Sequence, residues 1–195
     1  MPATPPKILV FAGSVRTGSY NARLAALMVK QLTLLDADVT HLSLVDYPLP
    51  IYDADTETNA GVPANAQRLK RHFMSHGGIF IVSPEYNASI TPLLKNTLDW
   101  ISRVRESGEA PLAAYRERVF AIGGASPGAF GAMRSLMALR QVLEIGCGAL
   151  VLPEQIAVRN AATAFDDNDN LRDEPSAKLL KTVAQRLVDV AQLMA

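Results

Sequence analysis

The segment from Lys7 to Leu35 constrains this chain more than any other. An apolar run, Ile8 to Ala12, stops at Gly13, and a helical repeat of apolar residues (Leu24, Leu27, Met28, Leu32) begins near Ser19. Between them lie Ser14, Arg16, Thr17, Gly18, Ser19 and Asn21: hydroxyls, an amide, one fixed cation and a glycine. A loop that leaves a first strand and opens a helix gathers unpaired backbone N–H groups at the positive end of the helix dipole. That is an anion site, and phosphate is its commonest guest. The spelling is neither the G-x-G-x-x-G of dinucleotide folds nor the G-x-x-x-x-G-K-[ST] of triphosphate loops. Hydroxyls and one arginine stand where those loops use glycine amides and a lysine, which points to a single terminal phosphate.

Strand-like runs recur at Lys7–Ala12, Asp38–Ser43, Gly78–Ser83, Arg118–Gly123 and Gly148–Leu152. Helical patterns separate them at Ser19–Leu35, Ala64–Ser75, Pro92–Arg103, Phe130–Ile145 and Pro175–Met194. Strict alternation of this kind predicts an α/β fold, a parallel sheet with helices on both faces. Ile79–Val82 and Val119–Ile122 lack polar alternation, as strands buried on both faces should. Thr91 before Pro92 reads as N-cap and N1, and Ser19 can cap the first helix. No linker or repeat divides the chain, so the expectation is one doubly wound domain over residues 1–195.

In a doubly wound sheet of strand order 2-1-3-4-5, ligands bind beyond the carboxyl ends of the strands, between strands one and three. The loops after those strands should then carry complementary chemistry, and they do. After the third strand comes Ser83-Pro-Glu-Tyr-Asn-Ala-Ser89. Pro84 holds Ser83 out of helical conformation, and Tyr86 offers a flat apolar face to a planar heterocycle. After the fourth comes Gly123-Gly-Ala-Ser-Pro-Gly-Ala-Phe-Gly131. It reads equally as a turn small for packing and as a place where a ligand edge approaches the backbone.

With these segments in view, the chain resembles the NAD(P)H-dependent FMN reductase family, the flavodoxin-like group of flavin, quinone, azo-dye and chromate reductases. The likeness is carried by Gly13-Ser-Val-Arg-Thr-Gly-Ser-Tyr-Asn21, Ser83-Pro-Glu-Tyr-Asn87 and Leu94-Lys-Asn-Thr-Leu-Asp-Trp100. It implies a flavodoxin-like five-stranded sheet and FMN as cofactor. Ser14, Arg16, Ser19 and Asn21 would hold the FMN phosphate. Pro84, Glu85, Tyr86 and Asn87 would line the isoalloxazine and ribityl side, with Gly124 and Ser126 approaching from the third loop. The implied activity is a relay in which NADPH or NADH gives a hydride to FMN and a flavin, quinone or similar small acceptor takes the electrons. The cofactor carries the hard chemistry, so no catalytic residue is assigned. The alternative is a flavodoxin-type electron carrier that needs a partner reductase. The resemblance also implies a homodimer or homotetramer, and Trp100 reads either as core or as a subunit contact.

Composition narrows the field further. Lys+Arg and Asp+Glu balance at 19 each in 195 residues, so no general attraction to nucleic acid or membrane is expected. No apolar run approaches the ~18 residues of a membrane span, and Met1–Pro6 lacks the basic and apolar regions of a signal peptide. A cytoplasmic location is expected. Cys147 is alone in an apolar stretch and reads as a buried structural thiol. His41, His72 and His76 have no cysteine or carboxylate at ligand spacing, so no metal is expected. The acidic stretch Phe165–Glu174 fails as a calcium loop: counted from Asp166, Leu171 falls at the glycine position and Ala177 at the bidentate glutamate. It is expected to be a solvated turn. Asp46–Pro63, with Pro48, Pro50 and Pro63, is long for a connection; it either covers the sheet edge or borders a site or subunit interface.

Overall fold

A computed structural model describes residues 4–194; the expectation about a leader falls partly on residues 1–3, outside that range. In chain order the elements are β1 (Lys7–Ala12), α1 (Tyr20–Thr33), β2 (Asp38–Leu42), α2 (Ala54–Ala60), α3 (Ala64–Met74), β3 (Gly78–Val82), α4 (Pro92–Arg103), α5 (Ala113–Arg116), β4 (Val119–Ala125), α6 (Met133–Arg140), β5 (Leu150–Val158), α7 (Ala161–Ala164) and α8 (Glu174–Leu193). The strands form one sheet in the order β2-β1-β3-β4-β5, parallel throughout. The switch point therefore lies between β1 and β3, where Ala12 sits beside Val82.

Side chains alternate across each strand and so feed two cores. Ile8 and Val10 of β1 and Phe80 and Val82 of β3 pack against α1 and α8 through Leu24, Met28, Val183 and Leu187. Leu9, Phe11, Ile79 and Ile81 face the other way, onto α3, α4 and α6 through Phe73, Leu94, Leu98 and Leu136. Full burial of each such side chain contributes about 1.5–3 kcal/mol. Because the central strands are covered on both faces, functional groups are confined to the ends of the sheet.

Besides the short helices α2, α5 and α7, which the sequence reading did not anticipate, three of the expected elements differ most from it. β4 continues two residues to Ala125, because Ile156–Val158 of β5 pair with Gly123–Ala125. Gly124 is therefore strand, not loop. β5 runs on through Pro153 to Val158, with the register slipping between Phe120 and Ile122. A proline is tolerated there because β5 is an edge strand bulged at that point. The Arg140 guanidinium satisfies the freed carbonyls, bonding Leu152 O (2.5 Å) and Pro153 O (3.1 Å). Finally α6 begins later than expected and widens into a π turn over Gln141–Gly146.

The proline-bearing stretch is a strap with a short helix of its own. Asp53 caps α2 by accepting from the N–H groups of Asp55 and Thr56, both at 3.0 Å. Helix α4 fastens the strap. Pro50 O accepts from Trp100 Nε1 (2.7 Å) and Asn96 Nδ2 (2.9 Å), while Asn96 Oδ1 accepts from Tyr52 N (2.7 Å). Asn96 and Trp100 lie four apart, on one helix face, and the Tyr52 ring meets the indole edge-on at 5.1 Å. Trp100 is fully buried inside the single chain, as core.

Elsewhere Cys147 is buried, and burial followed by the charge of Asp99 pushes its thiol up to about 11. His72 and His76 are used inside the fold, bonded to Tyr47 Oη and Thr40 Oγ1, each at 2.8 Å. The acidic stretch closes on itself: Asp166 Oδ1 accepts from the N–H groups of Asn168 (2.9 Å) and Asn170 (2.8 Å). Among the described residues no helix is long and apolar enough to cross a membrane.

Candidate functional site

The first loop leaves β1 at a fixed angle. Gly13 N donates to Val82 O (2.8 Å), and Gly13 O accepts from Thr91 Oγ1 (2.8 Å), whose oxygen also accepts from Leu94 N (3.1 Å) at the cap of α4. A Cβ on Gly13 would stand 2.8 Å from Leu94 Cβ, so only glycine lets the first loop and α4 meet there. Ser19 occupies the N-cap position of α1 and is 2% exposed, yet its hydroxyl makes no capping bond. The N–H groups of the first turn of α1 thus keep their donors free for an anion. No acidic residue lies in that turn. The Arg16 guanidinium folds over its own loop, 3.4 Å from Thr17 O and Gly18 O.

Asn21 faces inward. Its Nδ2 donates to Ala125 O (2.9 Å), and its Oδ1 accepts from Ala125 N (2.8 Å). Ser83 N donates to Gly123 O (2.7 Å), after which β3 leaves the sheet at Pro84, a residue with no N–H. Ala125, two residues beyond Gly123, points its backbone groups to the same side, where no strand remains. The Asn21 amide fills that place, so its side chain is spent on the sheet; toward an anion it retains only its backbone N–H.

The second loop is pinned to the third. Ser135 Oγ donates to Pro84 O (2.8 Å) and lies 2.7 Å from Ser83 Oγ. Glu85, with its side chain 7% exposed, reaches the start of α6. That helix has no cap of its own, its N-cap residue being Ala132 at φ 68°. Glu85 Oε2 accepts from the N–H groups of Arg134 (3.1 Å) and Ser135 (3.3 Å), and Oε1 accepts from Arg134 Nε (2.8 Å) and Nη2. Burial alone would push its carboxyl up, but the Arg134 bonds, with those of the N–H groups, outweigh it and hold the pKa below the ordinary value. Glu85 is thus a cap across loops. Beyond it, Tyr86 and Ser89 exchange backbone bonds of 2.9 and 3.0 Å around Asn87 (φ 49°) and Ala88 (φ 63°). Two left-handed residues make this a type I′ turn, which suits Asn but strains Ala. It presents Tyr86 with 53% of its surface exposed.

Of the residues singled out from sequence, Ser14, Arg16, Ser19, Asn21, Pro84, Glu85, Tyr86 and Ser126 line one cleft of about 140 Å³. Asn87 and Gly124 do not line it. A Cβ on Gly124 would lie 2.8 Å from both Ala132 Cβ and Ser83 O, so that glycine serves packing. Tyr20, Ala125 and Pro127 also line the cleft; their only signal in the sequence was adjacency to the motifs. Gly124-Ala-Ser-Pro-Gly128 also spells the G-x-S-x-G of a hydrolase elbow. Ser126 Oγ, however, accepts from Gly128 N at 3.2 Å, and His72 and His76 lie toward the opposite end of the sheet, just before β3.

A parallel 2-1-3-4-5 sheet with an anion-ready loop at its switch point is the architecture of flavodoxin-like proteins. The model of the NADPH-dependent FMN reductase family matches residues 6–163. An NAD(P)H-dependent FMN reductase of Pseudomonas aeruginosa is 31% identical over 183 residues, 93% of this chain and 92% of that protein. A quinone reductase of Escherichia coli is 35% identical over 138 residues, 70% of this chain and 69% of that one. Among solved structures, the flavoenzyme NAD(P)H:(acceptor) oxidoreductase FerB of Paracoccus denitrificans superposes with a TM-score of 0.77 at 27% identity, covering 96% of this chain and 98% of that one. The chain belongs to the NADPH-dependent FMN reductase family. It is an oxidoreductase whose cofactors are FMN and NAD(P)H.

Two substitutions probe this scaffold. Asn21→Ala strands the buried N–H and C=O of Ala125 and is expected to cost about 2–4 kcal/mol in urea unfolding; a loss below about 0.5 kcal/mol would contradict the role given to the amide. Glu85→Gln is expected to cost about 1–2 kcal/mol at pH 7 through lost charge–dipole and ion-pair contacts. Because the Glu85 pKa is depressed, that stabilisation is present above the ordinary 4.5 and fades as pH falls through the folded-state value. Unfolding curves of the two proteins should therefore converge toward pH 3, and a constant gap from pH 7 to pH 3 would refute the assignment.

Proposed function

We propose that the protein is an NAD(P)H-dependent reductase that uses bound FMN to pass electrons to small oxidised acceptors, flavins or quinones among them. The observation that carries this reading is the uncapped start of α1, beside the Ser14 and Ser19 hydroxyls and the Arg16 guanidinium, in the same cleft as the exposed ring of Tyr86. That donor set fits a phosphate dianion.

FMN, when bound, supplies the chemistry of accepting a hydride and handing electrons on. The chain's own residues bind and orient it. Ser14, Ser19, Arg16 and the N–H groups at the start of α1, that of Asn21 included, would hold the phosphate. Pro84, Tyr86 and Ser126 would flank the ribityl chain and ring, with Asn87 at the tip of the turn. Glu85 would keep the two ring-side loops at a fixed separation through Arg134 and Ser135 rather than move a proton. The cleft is smaller than the ~300 Å³ or more of a pocket that swallows its ligand. It would accept the polar tail and leave the ring at the lip, with a face open to donor and acceptor in turn.

The same reading treats all 195 residues as one flavodoxin-like domain, working in the cytoplasm as a homodimer or homotetramer. Ile51, 75% exposed on the strap, is the kind of surface residue such an assembly would cover.

Arg16→Ala separates phosphate recognition from ring recognition. FMN binding, followed by quenching of flavin fluorescence, should weaken about 10–100-fold. Riboflavin, which has no phosphate, should bind the variant as it binds the wild type. Equal losses for both flavins would contradict the phosphate role.

A further inference from the structure

A second cleft, of about 580 Å³, lies on the same rim of the sheet. Ala157 of β5 and Leu179 of α8 give it apolar walls, and Asn160, Thr163, Arg159 and Arg172 line it with polar groups. It is separated from the flavin cleft by the thickness of one loop. Ser126, which lines the flavin cleft, donates its N–H to Val158 O (3.1 Å) and accepts from Ala161 N (3.0 Å), and Gly128 O accepts from Asn160 N (3.3 Å). That dividing loop is exposed around Gly128, so a flexible ligand can cross it.

The charges of this cleft favour an anion. Arg172 is anchored by its Nε on Phe165 O (3.1 Å), and its nearest carboxylate, the fully exposed Asp167, stands 3.9 Å away. Its terminal nitrogens keep donors to spare. Arg159 is exposed, with no ion pair among the described residues. The one carboxylate in the lining, Asp173, is occupied at the cap of α8, accepting from Ser176 N (2.9 Å) and Oγ (2.5 Å). Apolar walls beside two guanidinium groups suit a flat base carrying phosphates. In an NAD(P)H reductase the nicotinamide must reach the flavin ring, and the remainder of the dinucleotide needs a seat within reach. The sequence holds no dinucleotide fingerprint to provide one.

Resting on the reductase reading above, we propose that this cleft takes the adenosine-phosphate half of NAD(P)H, with Arg159 and Arg172 on its phosphates. The dinucleotide lies across the loop after β4, its two ends in adjoining clefts.

Calorimetric titration of ADP and 2′,5′-ADP into the FMN-loaded protein and into the flavin-stripped protein tests this directly. Saturable binding of at least one is expected in both forms, weakened tenfold or more by Arg159→Ala and by Arg172→Ala. Arg159 makes no bond the fold requires, so its variant remains informative if the other fails to fold. In turnover, Arg159→Ala should raise KM for the pyridine dinucleotide by a similar factor with kcat unchanged. The rate with reduced nicotinamide mononucleotide, which lacks the adenylate, should not move. Absence of saturable binding, binding that Arg159→Ala leaves intact, or equal losses with dinucleotide and mononucleotide would each overturn the assignment. Binding of 2′,5′-ADP by a protein that NADPH and NADH both fail to reduce would uphold the cleft and count against the reductase reading instead.

Discussion

The site depends on one buried amide. Where β3 turns out of the sheet at Pro84, the last residue of β4 is left with an N–H and a C=O that no strand can satisfy. Each such group, buried and unpaired, costs about 1–3 kcal/mol. The side chain of Asn21 meets both at 2.8–2.9 Å, and it does so from the first turn of α1. The phosphate-type loop and the end of β4 therefore cannot shift independently. A requirement of sheet edges, that every backbone group find a partner, fixes the geometry of the cleft.

The other loops are tied by the same economy. Thr91 caps α4 and holds the carbonyl of Gly13, coupling the first loop to the helix after β3. Glu85 caps α6 and so couples the second loop to the third. What these ties leave without a partner borders the cleft: the first-turn N–H groups of α1, the Ser19 hydroxyl and the face of Tyr86. Stability is invested in the walls, and the unspent donors face the cleft.

Much of this was legible in the sequence. Central strands buried on both faces must be short continuous apolar runs, so Ile79–Val82 and Val119–Ile122 declared themselves, and a parallel sheet followed from alternation with helices; the order 2-1-3-4-5 came with the family resemblance. The extension of β5 was not legible, because Pro153 reads as a strand end until Arg140, distant in sequence, is seen to satisfy its neighbours' carbonyls. Nor was α2, which buries none of its residues and so has no apolar period to read. Asn21 and Glu85 were legible as important and not as to role. An amide bonds a phosphate or a backbone equally well, and a loop carboxylate gives no hint that a helix start some fifty residues on awaits it. Glycine is equally silent as to role: Gly124 read either as packing or as room for a ligand, and its missing Cβ makes room for Ala132 and the Ser83 carbonyl.

The most direct test is anaerobic mixing of the FMN-loaded protein with NADPH and with NADH, following the flavin absorbance in time. Rapid bleaching by at least one donor, with colour returning on addition of a quinone, is the expected result, and the ratio of rates names the preferred donor. A protein that binds FMN tightly yet stays oxidised with both would contradict a reductase and identify a carrier that draws its electrons from a partner.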